Sequence, residues 1–157
     1  MLAWLNDVWD RFTPRPAVSE NAEIGARGEA AAADFLVKRH DFKIVARNWR
    51  SPRDQRDEID LVARDGDVLV FVEVKTRAVN ALVPGYYAVD ERKKRAVRRA
   101  VHAYLGALEH PPRTFRFDVV EVSLSPRLPA QCLHFENMPL FPKGYHAARQ
   151  GGSLPAR

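Results

Sequence analysis

One hairpin signal, Asp65-Gly66 between two apolar runs, limits the possible folds of this chain more than any other segment. Asp-Gly between β-forming runs is typical of a two-residue loop that joins antiparallel strands. If Asp65-Gly66 is that loop, the strands run from about residue 56 to 63 and from about residue 68 to 76. The predicted cross-strand pairs are Arg64 with Asp67, Val62 with Leu69, Asp60 with Phe71, and Glu58 with Glu73.

Side chains alternate between the two faces of a strand, so the hairpin is predicted to have one apolar and one charged face. The apolar face comprises Ile59, Leu61, Ala63, Val68, Val70, Val72 and Val74. The other face comprises Val62, Leu69 and Phe71 together with Glu58, Asp60, Glu73 and Lys75. Because like charges opposite one another weaken a sheet, three acids around one lysine indicate a cation-binding site.

The composition predicts one soluble globular domain. The chain has 157 residues, with 46% apolar and 29% charged residues, which is ordinary for such a domain. The lone cysteine, Cys132, excludes an intrachain disulfide and a cysteine-cluster metal site, and it favours a reducing, cytoplasmic location. The five histidines show no local ligand spacing such as an i, i+4 pair, and so give little support to a zinc site.

The formal net charge is +5, and the basic residues fall mainly in two runs on either side of the acidic hairpin. Seven basic and two acidic residues lie between Lys38 and Arg56, and six basic and two acidic residues lie between Asp90 and Arg99. An acidic pocket with a basic rim suits a metal site that phosphates approach. The alternative is a pair of solvated, charge-rich surfaces. The candidate nucleic-acid contacts are Arg50, Arg53, Lys93, Lys94, Arg95 and Arg99.

The two ends of the chain are expected to lie outside the main domain. Residues 1–16 read as a short amphipathic helix followed by a Pro-containing linker, and this helix either caps the protein's own core or docks on a partner. The segment is too short for a membrane span and lacks the features of a signal peptide. Residues 143–157 are basic and Gly-rich, and they are predicted to be a disordered tail.

Residues 17–142 are predicted to form an α/β domain with a mixed sheet. A helix capped by Ser19 or Asn21 should run to about Arg39, and a second helix should run from about Asp90 to Leu108. The strands outside the hairpin are expected at 43–49, 114–124 and 131–135. The predicted inward stripe of the first helix is Ile24, Gly28, Ala31, Phe35 and Leu36.

Five motifs in this order resemble those of the restriction-endonuclease-like (PD-(D/E)xK) nuclease superfamily. Within it, the chain is most similar to the small bacterial YraN family, whose members look like archaeal Holliday-junction resolvases. The resemblance covers about residues 20–141 and implies a core with the order αβββαβ and a mixed central sheet flanked by helices. The motifs are Gly25-Ala26-Arg27-Gly28-Glu29-Ala30, Arg47-Asn48-Trp49-Arg50, Glu58-Ile59-Asp60-Leu61-Val62, Val70-Phe71-Val72-Glu73-Val74-Lys75-Thr76-Arg77 and Arg116-Phe117-Asp118-Val119-Val120.

The resemblance also implies roles for individual residues. Asp60, Glu73 and the Val74 carbonyl would hold a divalent metal, and Lys75 would orient the attacking water or offset charge on the phosphate. Glu29 matches the first-helix acid that completes many resolvase-type sites. Oxygen ligands of this kind suit Mg²⁺ or Mn²⁺.

Other roles remain open for some of these residues. Glu58 is either a further metal ligand or an orienting partner for Lys75 or Arg56. A cross-strand ion pair between Glu73 and Lys75 is the structural alternative, and a solvated helix residue is the alternative for Glu29.

The function expected from these features is metal-dependent cleavage of nucleic acid by a structure-selective DNA endonuclease. Branched or single-stranded DNA is the expected substrate, and the resemblance implies a homodimer because two strands must be cut. Two other classes fit the sequence. One is a nucleic-acid-binding module of the same fold with little or no cleavage, and the other is an adaptor that docks through the N-terminal helix.

Overall fold

The computed structural model describes residues 19–78 and 91–141. Two helices and five strands form these segments. The predicted order αβββαβ is confirmed, and so is the strand predicted after it at residues 131–135. Neither described helix combines the length and hydropathy of a membrane-spanning segment. The predicted N-terminal helix, the Pro linker and the basic tail lie outside the described residues. The elements are α1 (Glu20–His40), β1 (Lys43–Arg50), β2 (Glu58–Asp65), β3 (Val68–Ala78), α2 (Glu91–Gly106), β4 (Phe115–Leu124) and β5 (Gln131–Phe135).

The five strands form one mixed sheet in the order β1-β2-β3-β4-β5. Strands β1, β2 and β3 are antiparallel neighbours, whereas β3 and β4 are parallel. Strand β5 returns antiparallel to β4 at one edge. A parallel pair requires a long connection, and α2 lies in the segment that joins β3 to β4. The central strand β3 is covered on both faces, since Leu69 and Phe71 pack on the α2 side and Val70 and Val72 on the α1 side.

Helix α1 begins and ends with capping residues. The Ser19 hydroxyl accepts a hydrogen bond from the Ala22 N–H over 3.3 Å, and Asp41 ends the helix with a left-handed backbone, φ 58°. The buried positions are Gly28, Ala32, Ala33 and Leu36. The prediction that Ile24 belongs to the buried stripe is wrong, since its side chain is exposed. Ile24 lies one turn before Gly28, the first buried position of the helix.

The hairpin between β2 and β3 forms, but its predicted register is wrong by two residues. Asp65 pairs with Val68, and Val62 pairs with Phe71 instead of Leu69. The loop is therefore Gly66-Asp67, with Gly66 at φ 56°. A glycine with positive φ at the first loop position is typical of a type II′ turn, which accounts for the shift. A shift of two residues leaves the inward and outward sets of side chains unchanged over the paired region.

Beyond the paired region, the regular alternation of β2 side chains between the two faces of the sheet is interrupted at Asp60. Leu61 packs in the core between the sheet and α1, whereas Ile59 packs with Val97 and Val101 in the core between the sheet and α2. In a regular strand Ile59 and Leu61 would share one face, so the prediction that placed them together is wrong. The predicted pairs of Asp60 with Phe71 and Glu58 with Glu73 are also wrong, because the β2–β3 ladder ends at Leu61 and Val72. The two strands separate at this point, and the candidate site lies where they separate.

Candidate functional site

Asp60 lies just beyond the last β2–β3 pair. Its side chain accepts a hydrogen bond from a backbone N–H of β3. Its Oδ2 accepts the Val74 N–H over 2.7 Å, and the residue is 8% exposed. Burial, followed by the negative charge of Glu73, raises the pKa of Asp60 to about 7. The Val74 N–H and the positive charge of Lys93 act in the opposite direction. A carboxyl in this environment favours its neutral form unless more positive charge is supplied.

Glu73 is bracketed by two lysines from different elements. Lys75, two residues further along β3, places Nζ 2.8 Å from Glu73 Oε1, and Lys93 on α2 places Nζ 3.2 Å from Oε2. Glu73 is only 2% exposed. Its carboxylate is therefore held by two ammonium groups inside the protein rather than by solvent.

Lys93 is the residue whose position in the structure differs most from the role predicted for it from the sequence. It was predicted as a phosphate contact, whereas the structure brings it to the buried acids. Burial alone would lower the pKa of Lys93, but attraction to Glu73, Asp60 and Glu58 raises it above its ordinary value. A signal was present in the sequence, because Lys93 lies one helical turn before the buried Val97 and so shares its face of α2.

Glu29 reaches the site because α1 packs unusually close to β3. A Cβ added at Gly28 would lie 1.8 Å from Thr76 Oγ1, so only glycine permits this approach. Thr76 follows Lys75, and Glu29 follows Gly28, so the contact brings two candidate site segments together. The charge of Glu29 contributes to the raised pKa of Asp60. The side chain of Glu29 is half-buried, and not fully solvated as the structural alternative for this residue would have it.

Glu58 is directed toward a different partner. It pairs with Arg50 on β1 in both backbone register and salt bridge, and it remains close enough to raise the pKa of Lys93. Among the described residues, the candidate acids do not bring three ligand oxygens within 4.8 Å of one another. Asp60 and Glu73 remain linked by their electrostatic repulsion, and Asp60 and Val74 by the hydrogen bond between them, whereas Glu58 is engaged with Arg50.

The residues predicted to contact nucleic acid form two groups. Some are already bound to an acidic side chain or a backbone carbonyl of the protein, and others face solvent. Arg99 forms a bidentate salt bridge with the buried Asp57, at 2.7 to 3.1 Å, which the sequence did not predict. Arg53 and Arg99 line a cleft of about 510 Å³ between the loop after β1 and helix α2.

The other candidate contacts lie elsewhere. Arg50 contacts Glu58 and the Gln55 carbonyl, and Lys94 contacts Glu91. Arg95 is exposed on α2.

The described part of the chain holds one other cluster with potential metal ligands. His40, His134 and Glu136 each place a ligand atom within 4.8 Å of the other two. Local histidine spacing gave no sign of this cluster, because the fold brings together two histidines from distant parts of the sequence. Local spacing detects ligands on one element, and these three come from the end of α1, from β5 and from the residue after β5.

Comparison with known proteins identifies the family. Residues 28–122 match the family model described as "Uncharacterised protein family UPF0102". A UPF0102 protein of Geobacter metallireducens is 38% identical over 117 residues, which is 74% of this chain and 92% of the relative. A UPF0102 protein of Symbiobacterium thermophilum is 43% identical over 114 residues, covering 73% and 93% of the two chains. The matched region contains Asp60, Glu73, Lys75 and Lys93, and the chain belongs to the UPF0102 family, also called the YraN family.

Proposed function

We propose that this protein is a metal-dependent nucleic-acid phosphodiesterase, and specifically a structure-selective DNA endonuclease. The observation that carries the proposal is the pair of buried carboxylates, Asp60 and Glu73, beside Lys75 where β2 and β3 separate. Burying ionisable groups costs free energy, and folding alone gains little from two acids at one point. Perturbed carboxyls with a lysine are instead typical of catalytic sites. The likeness of the ordered motifs to resolvase-type nucleases supports the same reading.

The side chains present fit a divalent cation. Asp60, Glu73 and the Val74 carbonyl would hold it, since hard oxygen ligands suit Mg²⁺ or Mn²⁺. Burial and the negative charge of Glu73 raise the pKa of Asp60, and a cation held by these residues would act in the opposite direction. When bound, such an ion polarises a phosphoryl oxygen and makes a water molecule more acidic.

The chain's own residues would position the substrate and stabilise charge. Lys75 would orient the attacking water or offset the charge that grows on the phosphate in the transition state. Lys93 would hold the Glu73 carboxylate in place from the opposite side. Arg53, Arg95 and Arg99 would attract the polyanionic backbone without reading its sequence, so that binding should weaken steeply with salt.

The test is an incubation of the purified full-length protein with labelled single strands, flaps and four-way junctions. Mg²⁺ or Mn²⁺ is compared with chelator, and the E73Q variant is run in parallel. We expect cleavage only with metal, only by the wild type, and preferentially at branched or single-stranded positions. Absence of cleavage of every substrate by a folded wild-type protein that binds the metal would contradict an enzymatic role.

A nucleic-acid-binding module without cleavage is the second candidate. The observation in its favour is that both oxygens of Glu73 already contact lysines, so this carboxylate is neutralised without a metal. Measuring binding of the same DNA substrates with and without metal separates the two roles, because a binding module retains affinity and shows no product. The resolvase likeness also implies a homodimer, which sedimentation of the free protein would test. An adaptor role through the N-terminal helix concerns residues outside the described part of the chain.

A further inference from the structure

We propose that His40, His134 and Glu136 form a second metal site, selective for a transition-metal ion of the Zn²⁺ class. The cluster lies beside Phe42, which packs in the core on the α1 side of the sheet. The Glu73 and Lys75 side chains contact Lys93 or one another on the α2 side. The two sites are therefore separate, and neither the proposed phosphodiesterase nor the family likeness assigns the second one.

The buried Asp118 fixes the orientation and tautomer of His134. Asp118 is 0% exposed, and its two oxygens accept hydrogen bonds from Arg116 Nε and the Asn137 N–H. Its Oδ2 also lies 2.8 Å from His134 Nε2. A carboxylate in this position requires the proton on Nε2, so the lone pair of a neutral His134 is on Nδ1. A carboxylate that orients a histidine through its other nitrogen is a recurring arrangement around metal ligands.

The Nδ1 lone pair faces a second electron-pair donor. His134 Nδ1 lies 3.8 Å from Glu136 Oε1, too far for a hydrogen bond. A neutral imidazole nitrogen and a carboxylate oxygen at this separation repel each other unless a cation or a proton lies between them. The spacing is close to that of two ligands sharing one tetrahedral ion, which for bonds near 2.0–2.1 Å is about 3.3–3.4 Å.

His40 completes a three-ligand set from the end of a helix. Its ring is 4.9 Å from the His134 ring in an edge-to-face arrangement, and the ligand atoms of all three side chains lie within 4.8 Å of one another. His40 is the last residue of α1, where the helix dipole favours positive charge. Two imidazoles and one carboxylate, with one open position, suit Zn²⁺ better than Mg²⁺ or Ca²⁺.

The local charge balance favours a divalent cation. Arg116 Nη1 lies 2.8 Å from Asp65 Oδ2, its Nε lies 3.0 Å from Asp118 Oδ1, and its Nη2 lies 4.0 Å from Glu136 Oε2. With neutral histidines, three carboxylates and one guanidinium leave a net charge of −2, which one divalent ion neutralises. The bound ion would also join the end of α1 to the region of β5, so that metal binding should raise the melting temperature.

The test measures Zn²⁺ binding by calorimetry to the untagged full-length protein carrying D60N and E73Q, so that the first candidate site contributes little. We expect one ion per chain, and at least a tenfold loss of affinity in H40A and in E136Q. The matched control is H110A, which removes a histidine outside the cluster and should leave the affinity unchanged. Co²⁺ should give visible absorption bands that require His40. If the D60N/E73Q protein binds no Zn²⁺, or if H40A and E136Q bind it as H110A does, the site does not exist.

Discussion

Lys93 Nζ lies 3.2 Å from Glu73 Oε2, on the other side of the carboxylate from Lys75 Nζ, which is 2.8 Å from Oε1. Helix α2 thus supplies a cation to a strand residue that the hairpin alone would leave with one lysine. The side chains of the site are arranged around these two positive charges. Any cation that binds Glu73 has to compete with the two lysines or shift them toward substrate. The two lysines are therefore expected to have distinct effects on binding and on rate.

Lys75→Ala should abolish most of the chemical step while leaving DNA affinity nearly unchanged. In the proposed mechanism the ammonium acts on charge that grows in the transition state, so its loss should appear in the single-turnover rate at saturating protein and metal. We expect a decrease of about 100-fold or more, as for other groups that stabilise developing charge. Glu73 is buried, so losing one of its two lysines should lower the free energy of unfolding by roughly 1–3 kcal/mol, even though Lys93 remains beside it.

The control for this experiment is Lys94→Ala, which removes a neighbouring basic residue that contacts Glu91 instead. Its single-turnover rate should match the wild type. Equal rates for wild type and Lys75→Ala, with robust cleavage by both, would show that Lys75 belongs only to an ion pair.

Asp60→Asn should stabilise the metal-free protein, and more strongly at pH 8 than at pH 5. The folded pKa of Asp60 is raised from 3.8 to about 7, so the folded state binds the proton more tightly than the unfolded state. The wild type therefore loses this stabilisation as the pH rises from about 4 through 7, whereas asparagine does not titrate and retains an acceptor for Val74. The gain at pH 8 should exceed the gain at pH 5 by about 1 kcal/mol or more.

Thermal and urea unfolding in chelator at both pH values measures this difference. Asp67→Asn, at an exposed turn position, serves as the matched control and should show no comparable trend. A gain for Asp60→Asn that is the same at pH 5 and pH 8 would contradict the raised pKa.

Gly28→Ala should destabilise the protein, although alanine is the better helix former. The added methyl would lie 1.8 Å from Thr76 Oγ1 and 2.9 Å from Thr76 Cβ, so α1 has to move away from β3. Overpacking of this kind costs about 1–3 kcal/mol, and the displacement should also carry Glu29 away from Asp60. Urea unfolding measures the loss.

Gly25→Ala, in the same helix, is the internal control. No atom lies within 4 Å of its added methyl, so it should gain roughly 0.5–1 kcal/mol from helix propensity. Combining Gly28→Ala with Thr76→Gly should restore part of the lost stability. Identical behaviour of the two glycine variants would show that the close approach at Thr76 is not required.

The variants Arg95→Glu and Arg99→Glu should distinguish an arginine that only attracts DNA from one that also stabilises the fold. Arg95 is exposed, so its reversal should weaken DNA binding and reduce the salt dependence while changing stability by less than about 0.5 kcal/mol. Arg99 binds the buried Asp57 carboxylate, so its reversal should also cost roughly 2 kcal/mol of stability. Salt titrations of DNA affinity, with melts of both variants, provide the measurement. Binding that is independent of salt would contradict a phosphate-contacting role for either residue.

The sequence predicted the order of elements, because the Asp-Gly turn, the two amphipathic helices and the alternating strands are local signals. It did not predict the register, since both Asp65-Gly66 and Gly66-Asp67 satisfy the pattern and only the backbone of Gly66 decides between them. The interrupted alternation at Asp60 was also missed. Strand periodicity assumes regular geometry, whereas here Ile59 packs on the α2 side of the sheet and Leu61 on the α1 side.

The sequence predicted those residues of the candidate site that share one hairpin. It predicted incompletely those that meet only through tertiary packing. Asp60, Glu73 and Lys75 lie on adjacent strands, so alternation alone placed them near one another. Lys93 reaches them only because α2 crosses that face of the sheet. The partners of Asp57 and of His134 likewise depend on contacts between elements far apart in sequence, which one sequence without relatives does not specify.

The hydrogen bond from the Val74 N–H to Asp60 has a spectroscopic consequence. An amide proton that is donated to a carboxylate is sensitive to the charge on that carboxylate, so the Val74 resonance in a ¹⁵N-edited spectrum reports directly on Asp60. Protonation, substitution by asparagine and ligation of a cation should each move this one signal differently. The backbone thus contains its own probe of the ionisation state of the site, independent of any catalytic assay.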